Sequence, residues 1–317
     1  MLTDVVELWS DLQRESTDSS RYLERLIRPD SHVQFILGFG NDRATIKICA
    51  NYPPDWEKSI QTPSCLSCDV KIDEPLSIAT FRYNNNAPID IFIWFSQDLA
   101  NRLEDADSHS APEIIGDSLE EWAEAFKVDV ERGMSRQAQQ GLFAELFYMD
   151  QVLVNDFGPK ALLGWHSQNA VHDFQIDGTA WEVKSYAGRR MEVHISSEAQ
   201  LDTVGLQGLT LAVVGLKISE ESGMCINEIV EAFLERYAED QTLVSLFRTG
   251  LAKYGYIDDS SIVHTYYFNP RHISEYSITG DFPRIIASDI PSSIFNVKYT
   301  LSLSSLEEFL TKPMIEY

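Results

Sequence analysis

The stretch "VHDFQIDGTAWEVKSY", residues 171–186, decides how the rest of the chain is read. Asp177-Gly178 is a strong turn signal, because a two-residue hairpin loop needs positive φ at both central positions. The runs on either side, Val171 to Ile176 and Ala180 to Tyr186, then become neighbouring antiparallel strands. Side chains alternate along a strand, so Glu182 and Lys184 share one face and Trp181, Val183 and Ser185 the other. Asp173 stands four residues before the turn and Glu182 four after it. Such a register sets two carboxylates across from one another, with room for a hard cation between them. The alternative is a hairpin edge carrying ordinary surface charges.

Mg²⁺ takes oxygen ligands in an octahedron and keeps several waters. Two carboxylates and a scissile phosphate meet that demand. A neighbouring ammonium can position or help deprotonate an attacking water and offset charge building up on phosphorus. Asp173, Glu182 and Lys184 are therefore chemically sufficient for phosphodiester hydrolysis, yet the spacing alone is not specific. A second match exists in Asp55 followed by Asp69-Val70-Lys71. It has no hairpin signal between its halves, "TPSCLSC" interrupts it, and no glutamate-bearing helix precedes it.

The surroundings of the first match are richer. Upstream, "GLFAELFYMD" places Leu142, Leu146, Met149 and Leu153 on one helical stripe, with Glu145 on its flank. Glu145 reads either as an acid reaching over the end of a sheet or as a surface carboxylate. Downstream, "HISSEAQL" sets Gln200 three residues after Ser197, which fits a capping box as well as a side chain facing the substrate. Arg189 and Arg190 fall in the next turn, "YAGRRM", where they contact a phosphate backbone or are simply solvated. His166, His172 and His194 share no metal-ligand spacing. There is no P-loop and no Gly-x-Ser-x-Gly elbow.

Composition limits the options. The 317 residues are 44% hydrophobic, enough for a sizeable core and two subdomains. Forty-nine acidic residues face 25 basic ones, a net charge of −24. Such a balance repels phosphate backbones at long range and argues against a stand-alone DNA-coating protein. Even residues 133–216 hold only five basic against nine acidic residues, and residues 1–130 carry net −13, which suits protein contact better than DNA contact. Cys65-x-x-Cys68 has no second pair to complete a zinc site, so the four cysteines are expected as reduced, partly buried thiols. The polar N-terminus is no signal peptide, and no run approaches the ~18 apolar residues of a membrane span. A soluble, cytoplasmic protein without a membrane partner is expected.

Along the chain, residues 2–28 read as an amphipathic helix, with Val5, Leu8, Trp9, Leu12 and then Leu23, Leu26 and Ile27 at helical spacing. "HVQFILGF" and "RATIKICA" flank a "GND" turn as a hairpin. Strands are expected at 66–72, 76–83 and 88–94, and Gly38 and Gly40 read as turn residues. Asp117 or Ser118 would cap a helix through "LEEWAEAFKVDV". A helix over about 135–155 precedes the 171–186 hairpin. A third strand near 191–195, a helix from Ser196 or Ser197 and the doubly covered strand "LTLAVVGLKI" come next. Helices near 225–252 and strands near 261–269 and 296–301 complete an α/β (α+β) mixed sheet flanked by helices.

"GLFAELFYMDQVL", "HDFQIDGTAWEVKSY" and "VHISSEAQL", in that order and spacing, resemble the PD-(D/E)XK nuclease superfamily. More narrowly they look like the bacterial PD-(D/E)XK motif proteins of restriction and phage-defence loci. Trp122 and the segment "DFPRIIASDIPSSIFNVKYTLSLSSLEEF" extend the likeness over most of the chain. The resemblance implies a restriction-endonuclease-like core over 117–317, preceded by a β-rich docking or specificity region over 1–116. It places the superfamily's metal-binding acids at Asp173, Glu182 and Glu145, its lysine at Lys184, and a functional glutamine at Gln200. His172 stands at the position of the superfamily's nominal proline, which many members lack. The implied activity is Mg²⁺-dependent DNA endonuclease, with Mn²⁺ able to substitute; the acidic balance adds the expectation of a weak grip on DNA alone, and an ATPase or methyltransferase partner, or a homodimer, is expected. A non-catalytic scaffold subunit of such a system is the competing expectation.

Overall fold

The computed structural model describes residues 5–19, 21–27, 32–41, 43–73, 76–84, 88–127, 134–165, 171–257, 266–291, 293–294 and 297–316. The chain divides into two compact units, Met1–Met134 with Leu251–Ile262, and Ser135–Gly250 with Val263–Tyr317.

The first unit contains α1 (Val5–Ser19), β1 (Leu23–Ile27), β2 (Gln34–Gly40), β3 (Arg43–Ala50), α2 (Trp56–Ser59), β4 (Leu66–Asp73), β5 (Leu76–Tyr83), α3 (Ile89–Arg102) and α4 (Ala111–Glu121). Its five strands form an antiparallel sheet in the order β1-β2-β3-β5-β4. The β2–β3 hairpin closes where expected, with Gly40 opposite Arg43 and Asn41 in the left-handed region at φ 53°. Inward residues Leu37, Ile46, Ile48 and Phe81 share a core with Val5, Trp9 and Leu12 of α1 and Phe92 and Phe95 of α3.

Three expectations fail here. The helix expected over 2–28 ends at Ser19, and Leu23–Ile27 instead forms β1, whose backbone completes its hydrogen bonds against β2. The 88–94 run is the start of α3, not a strand: Pro88 precedes it, and buried Ile91, Phe92, Phe95 and Leu99 recur at helical spacing. The helix expected to be capped by Asp117 or Ser118 begins earlier, at Ala111, after Asp107 Oδ1 accepts the amides of His109 (2.8 Å) and Ser110 (2.9 Å). Ile115, Leu119, Trp122 and Phe126 join the first unit's core, so the division between compact units falls at Met134 rather than at residue 116.

The second match to the carboxylate–lysine pattern is dispersed into surface pairs. Asp55 bonds Lys58 at 2.5 Å, and Asp69 pairs with Arg82. Burial pushes the Cys65 thiol up to about 11 and that of Cys68 up to about 12, and both are free. Their reactive thiolate is scarce at neutral pH.

The second unit opens with α5 (Arg136–Tyr148), where Ser135 accepts the Ala138 amide as N-cap at 3.2 Å. A π-helical turn, Met149–Leu153, joins it to α6 (Val154–Phe157), and α7 (Lys160–Leu163) follows. Next come β6 (Phe174–Ile176), β7 (Thr179–Ala187), β8 (Glu192–Ile195), β9 (Gly208–Ser219), α8 (Ile226–Arg236), α9 (Gln241–Lys253), β10 (Tyr267–Ser277), β11 (Tyr299–Ser302) and β12 (Leu310–Glu316). The main sheet runs β12-β10-β9-β7-β6, antiparallel except for the parallel pair β9–β7. Strand β9 lies at its centre, with Leu211 through Val214 and Leu216 fully buried. Phe143 of α5 stacks on Phe268 of β10 at 4.5 Å between ring centres.

Strand β8 does not extend this sheet; it pairs with β11 in a separate two-stranded ribbon. The helix expected from Ser196 is only a turn over 198–201, while the strand expected near 261–269 begins at Tyr267, residues 261–265 lying outside those described. Among the described residues no helix is long and apolar enough to cross a membrane.

Candidate active site

The site is built by the hairpin. Asp177 (φ 49°) and Gly178 (φ 85°) supply the two left-handed residues of a two-residue turn, and Phe174, Gln175 and Ile176 pair with Trp181, Ala180 and Thr179. Continued by one rung, that register sets residue 173 opposite residue 182. The β6 ladder stops at Phe174, and the Asp173 side chain takes over: its Oδ2 accepts the Val183 backbone N–H at 2.6 Å. On its other edge β7 is pinned along β9 from Thr179 to Ala187. The short strand β6 thus delivers a carboxylate to β7 while keeping a backbone donor satisfied.

Glu182 is fully buried. Lys184 Nζ stands 2.6 Å from its Oε1 as an ion pair, although neither carboxylate oxygen has an aligned hydrogen bond. Burial, and then the facing Asp173 carboxylate, push the Glu182 carboxyl up to about 8, against the pull of Lys184. Burial likewise raises Asp173, opposed by Lys184 and by the Val183 amide. For Lys184 burial pulls downward, but the carboxylates of Glu182, Asp173 and Glu145 outweigh it and hold the ammonium above its ordinary value. Three acids crowd one lysine, and ionising a buried, unaligned carboxyl beside them is costly in free energy. A cation of oxygen-seeking character would relieve both, so the Asp173–Glu182 pair fits a hard divalent ion.

The remaining expected residues are distributed unevenly. Glu145, buried on α5, has its Oε2 accepting the Trp165 indole N–H at 2.9 Å. Among the described residues no group of three or more His, Cys, Asp or Glu is already arranged to hold a metal, while the Glu145 carboxylate is near enough to act on Lys184. Gln200 reaches back to the chain before it, its Oε1 accepting the Ser196 amide at 2.8 Å. That bond resembles the capping arrangement, displaced by one residue from Ser197. Arg189 and Arg190 are exposed in the loop after β7, and only Arg190 lines a cavity there. His166 lies outside the described residues, and His194 sits on β8 facing Thr300 of β11.

Two contributors were not visible in the sequence. Trp165 follows α7 with no periodic relation to Glu145, and its role appears only when the chain folds back. The Val183 contact is a backbone group, legible only once the length of β6 is known.

These elements define a nuclease-like class of protein: a mixed sheet flanked by helices, with an acid, acid-x-lysine set on a β-hairpin beside a glutamate-bearing helix. Residues 5–304 match the family described as "Putative PD-(D/E)XK family member, (DUF4420)", and the chain belongs to that family. Its fold is accordingly α+β and restriction-endonuclease-like. No curated protein and no solved structure matches it.

Proposed function

We propose that the protein is a metal-dependent DNA endonuclease of a bacterial restriction or phage-defence system, working in the cytoplasm. The observation that carries this reading is the fully buried Glu182 carboxylate, set against Asp173 and Lys184 without an aligned hydrogen bond of its own. A purely structural glutamate at 0% exposure would be expected to have its oxygens satisfied. Asp173 and Glu182 would hold Mg²⁺, with Mn²⁺ able to substitute, and Glu145 would orient the site from α5. When bound, the ion supplies Lewis-acid stabilisation of charge on the phosphate. Lys184, held protonated, donates hydrogen bonds to the scissile phosphate or orients the attacking water. Gln200 stands downstream of this set, where a polar amide could meet the substrate.

The test is calorimetric titration of Mn²⁺ into the wild type, Asp173→Ala and Glu182→Ala, followed by cleavage assays with Lys184→Ala. Metal binding lost in both acid variants and cleavage lost in the lysine variant support the reading. Identical titrations for all three proteins would refute it. A scaffold subunit that docks an ATPase or methyltransferase is the second reading. It is favoured by the tie between Trp165 and Glu145, which gives that carboxylate a structural role, and by the net charge of −24.

A further inference from the structure

A cavity of about 450 Å³ opens at the far end of β7, lined among others by Arg136, Gln137, Gln140, Tyr186, Arg190 and Glu192. Its walls come from the first turns of α5, the end of β7 and the start of β8, all within the second unit. We propose that this cavity is a nucleotide subsite that grips a phosphodiester of a DNA strand, flanking the one at Lys184.

Charge distribution is the first argument. Residues 133–216 carry only five basic side chains, and Arg136, Arg189 and Arg190 are three of them. Two of these three, arriving from segments more than fifty residues apart, line one cavity in a protein of net charge −24. An acidic surface offers carboxylates for arginines to pair with, as it does for Arg14, Arg25, Arg82, Arg102 and Arg236. Arg136 and Arg190 belong to no ion pair among the described residues. Arg136 lies instead over the Tyr266 ring, its guanidinium carbon 5.7 Å from the centroid, which orients the fork without using its hydrogen-bond donors.

Polarity and position form the second argument. Gln140 donates its amide to Ser185 Oγ at 3.0 Å, tying α5 to β7 at the cavity wall. Gln137 adds an exposed amide, and the depression is broad and open, so a strand can lie across it with one phosphodiester between the two arginines. Ala187 lies three residues past Lys184, about 10 Å along the strand at ~3.3 Å per residue. At 3.4 Å of axial rise per nucleotide, that is a displacement of two to three nucleotides. Glu192 is the one carboxylate of the lining, and it opposes an anion there, limiting affinity.

The inference rests on the nuclease reading, and its test is separable from it. The full chain is mixed with a fluorescein-labelled 12-nucleotide single-stranded DNA in EDTA, so that neither metal nor cleavage is needed, and anisotropy is read between 20 and 150 mM salt. Arg136→Gln and Arg190→Gln are each expected to weaken binding about tenfold and flatten the salt dependence by ~0.7 in log–log slope per lost phosphate contact. Glu192→Gln is expected to tighten binding severalfold. All three positions are exposed, and thermal melts check that the fold is kept. Binding equal to wild type in the double arginine variant, or no arginine-dependent binding in the wild type, overturns the proposal. So does complete competition by millimolar inorganic phosphate, which would mark a free-anion pocket, or a markedly tighter arginine-dependent grip on RNA of the same sequence. Loss of the Mn²⁺ response in parallel calorimetry, with the arginine dependence intact, would sink the metal-dependent reading and leave the subsite standing.

Discussion

Replacing Glu182 with Gln should stabilise the metal-free protein at alkaline pH while abolishing its ability to hold a cation. The folded state lifts this carboxyl from 4.5 to about 8 because it is fully buried beside Asp173. A raised acid binds its proton more tightly when folded than when unfolded. Its stabilising contribution is complete below pH 4.5, shrinks as pH rises, and is gone above about pH 8. At ~1.4 kcal/mol per pH unit, the wild type loses up to about 5 kcal/mol over that window. Gln keeps the shape of the protonated side chain, and the shift to about 8 already includes the pull of Lys184, so no further loss is counted for the ion pair. The variant should therefore be more stable by up to about 5 kcal/mol at pH 9 and near parity at pH 5, with a residual slope from Asp173. Urea denaturation in EDTA at pH 5, 7 and 9 measures it, and added Mn²⁺ should reverse the order at pH 9. Parallel pH profiles for the two proteins would refute the claim that Glu182 is a strained, buried acid.

Other consequences can be checked singly. Trp165→Phe keeps the ring against Phe247 and removes the indole N–H from Glu145; a loss of about 1–2 kcal/mol in denaturation and a changed Mn²⁺ enthalpy are expected. Gly178→Ala places a side chain at φ 85°, within 2.9 Å of Gln207, and should cost ~1–3 kcal/mol in thermal unfolding. Ser135→Ala removes the α5 cap and should cost ~1 kcal/mol in the same assay. Asp173→Asn keeps an oxygen for the Val183 amide, so its stability at pH 7 should match or exceed that of wild type while Mn²⁺ titration shows no binding.

How much of this was legible follows from the kind of signal each element carries. The hairpin at 171–186 was readable because Asp-Gly fixes the turn and period-two alternation fixes the faces. Strand β9 announced itself as an unbroken apolar run. The 88–94 stretch was misread because Ile89, Ile91, Phe92, Ile93 and Trp94 are all β-prone. Only the continuation to Phe95 and Leu99 reveals the helical repeat. Leu23, Leu26 and Ile27 satisfied a helical spacing by coincidence and were claimed by a sheet edge. At the site, Asp173, Glu182 and Lys184 are adjacent in sequence and share one hairpin, so local rules suffice to bring them together. The Glu145–Trp165 and Arg136–Arg190 relations depend on how α5 lies over β7, and no local rule encodes that.

The π turn at 149–153 makes the two halves of this long helix independently adjustable. It inserts one residue without closing another α-turn, which shifts the helical phase by about 100° between the Glu145 half and the Phe157 half. Phe157, which follows the turn, meets Trp181 edge-on at 5.4 Å. Deleting one residue from the turn would re-phase everything after it and swing Phe157 off the sheet, while Glu145 kept its place. The segment acts as a rotational vernier, and one-residue length changes there would retune the packing behind the hairpin without touching the acids on it.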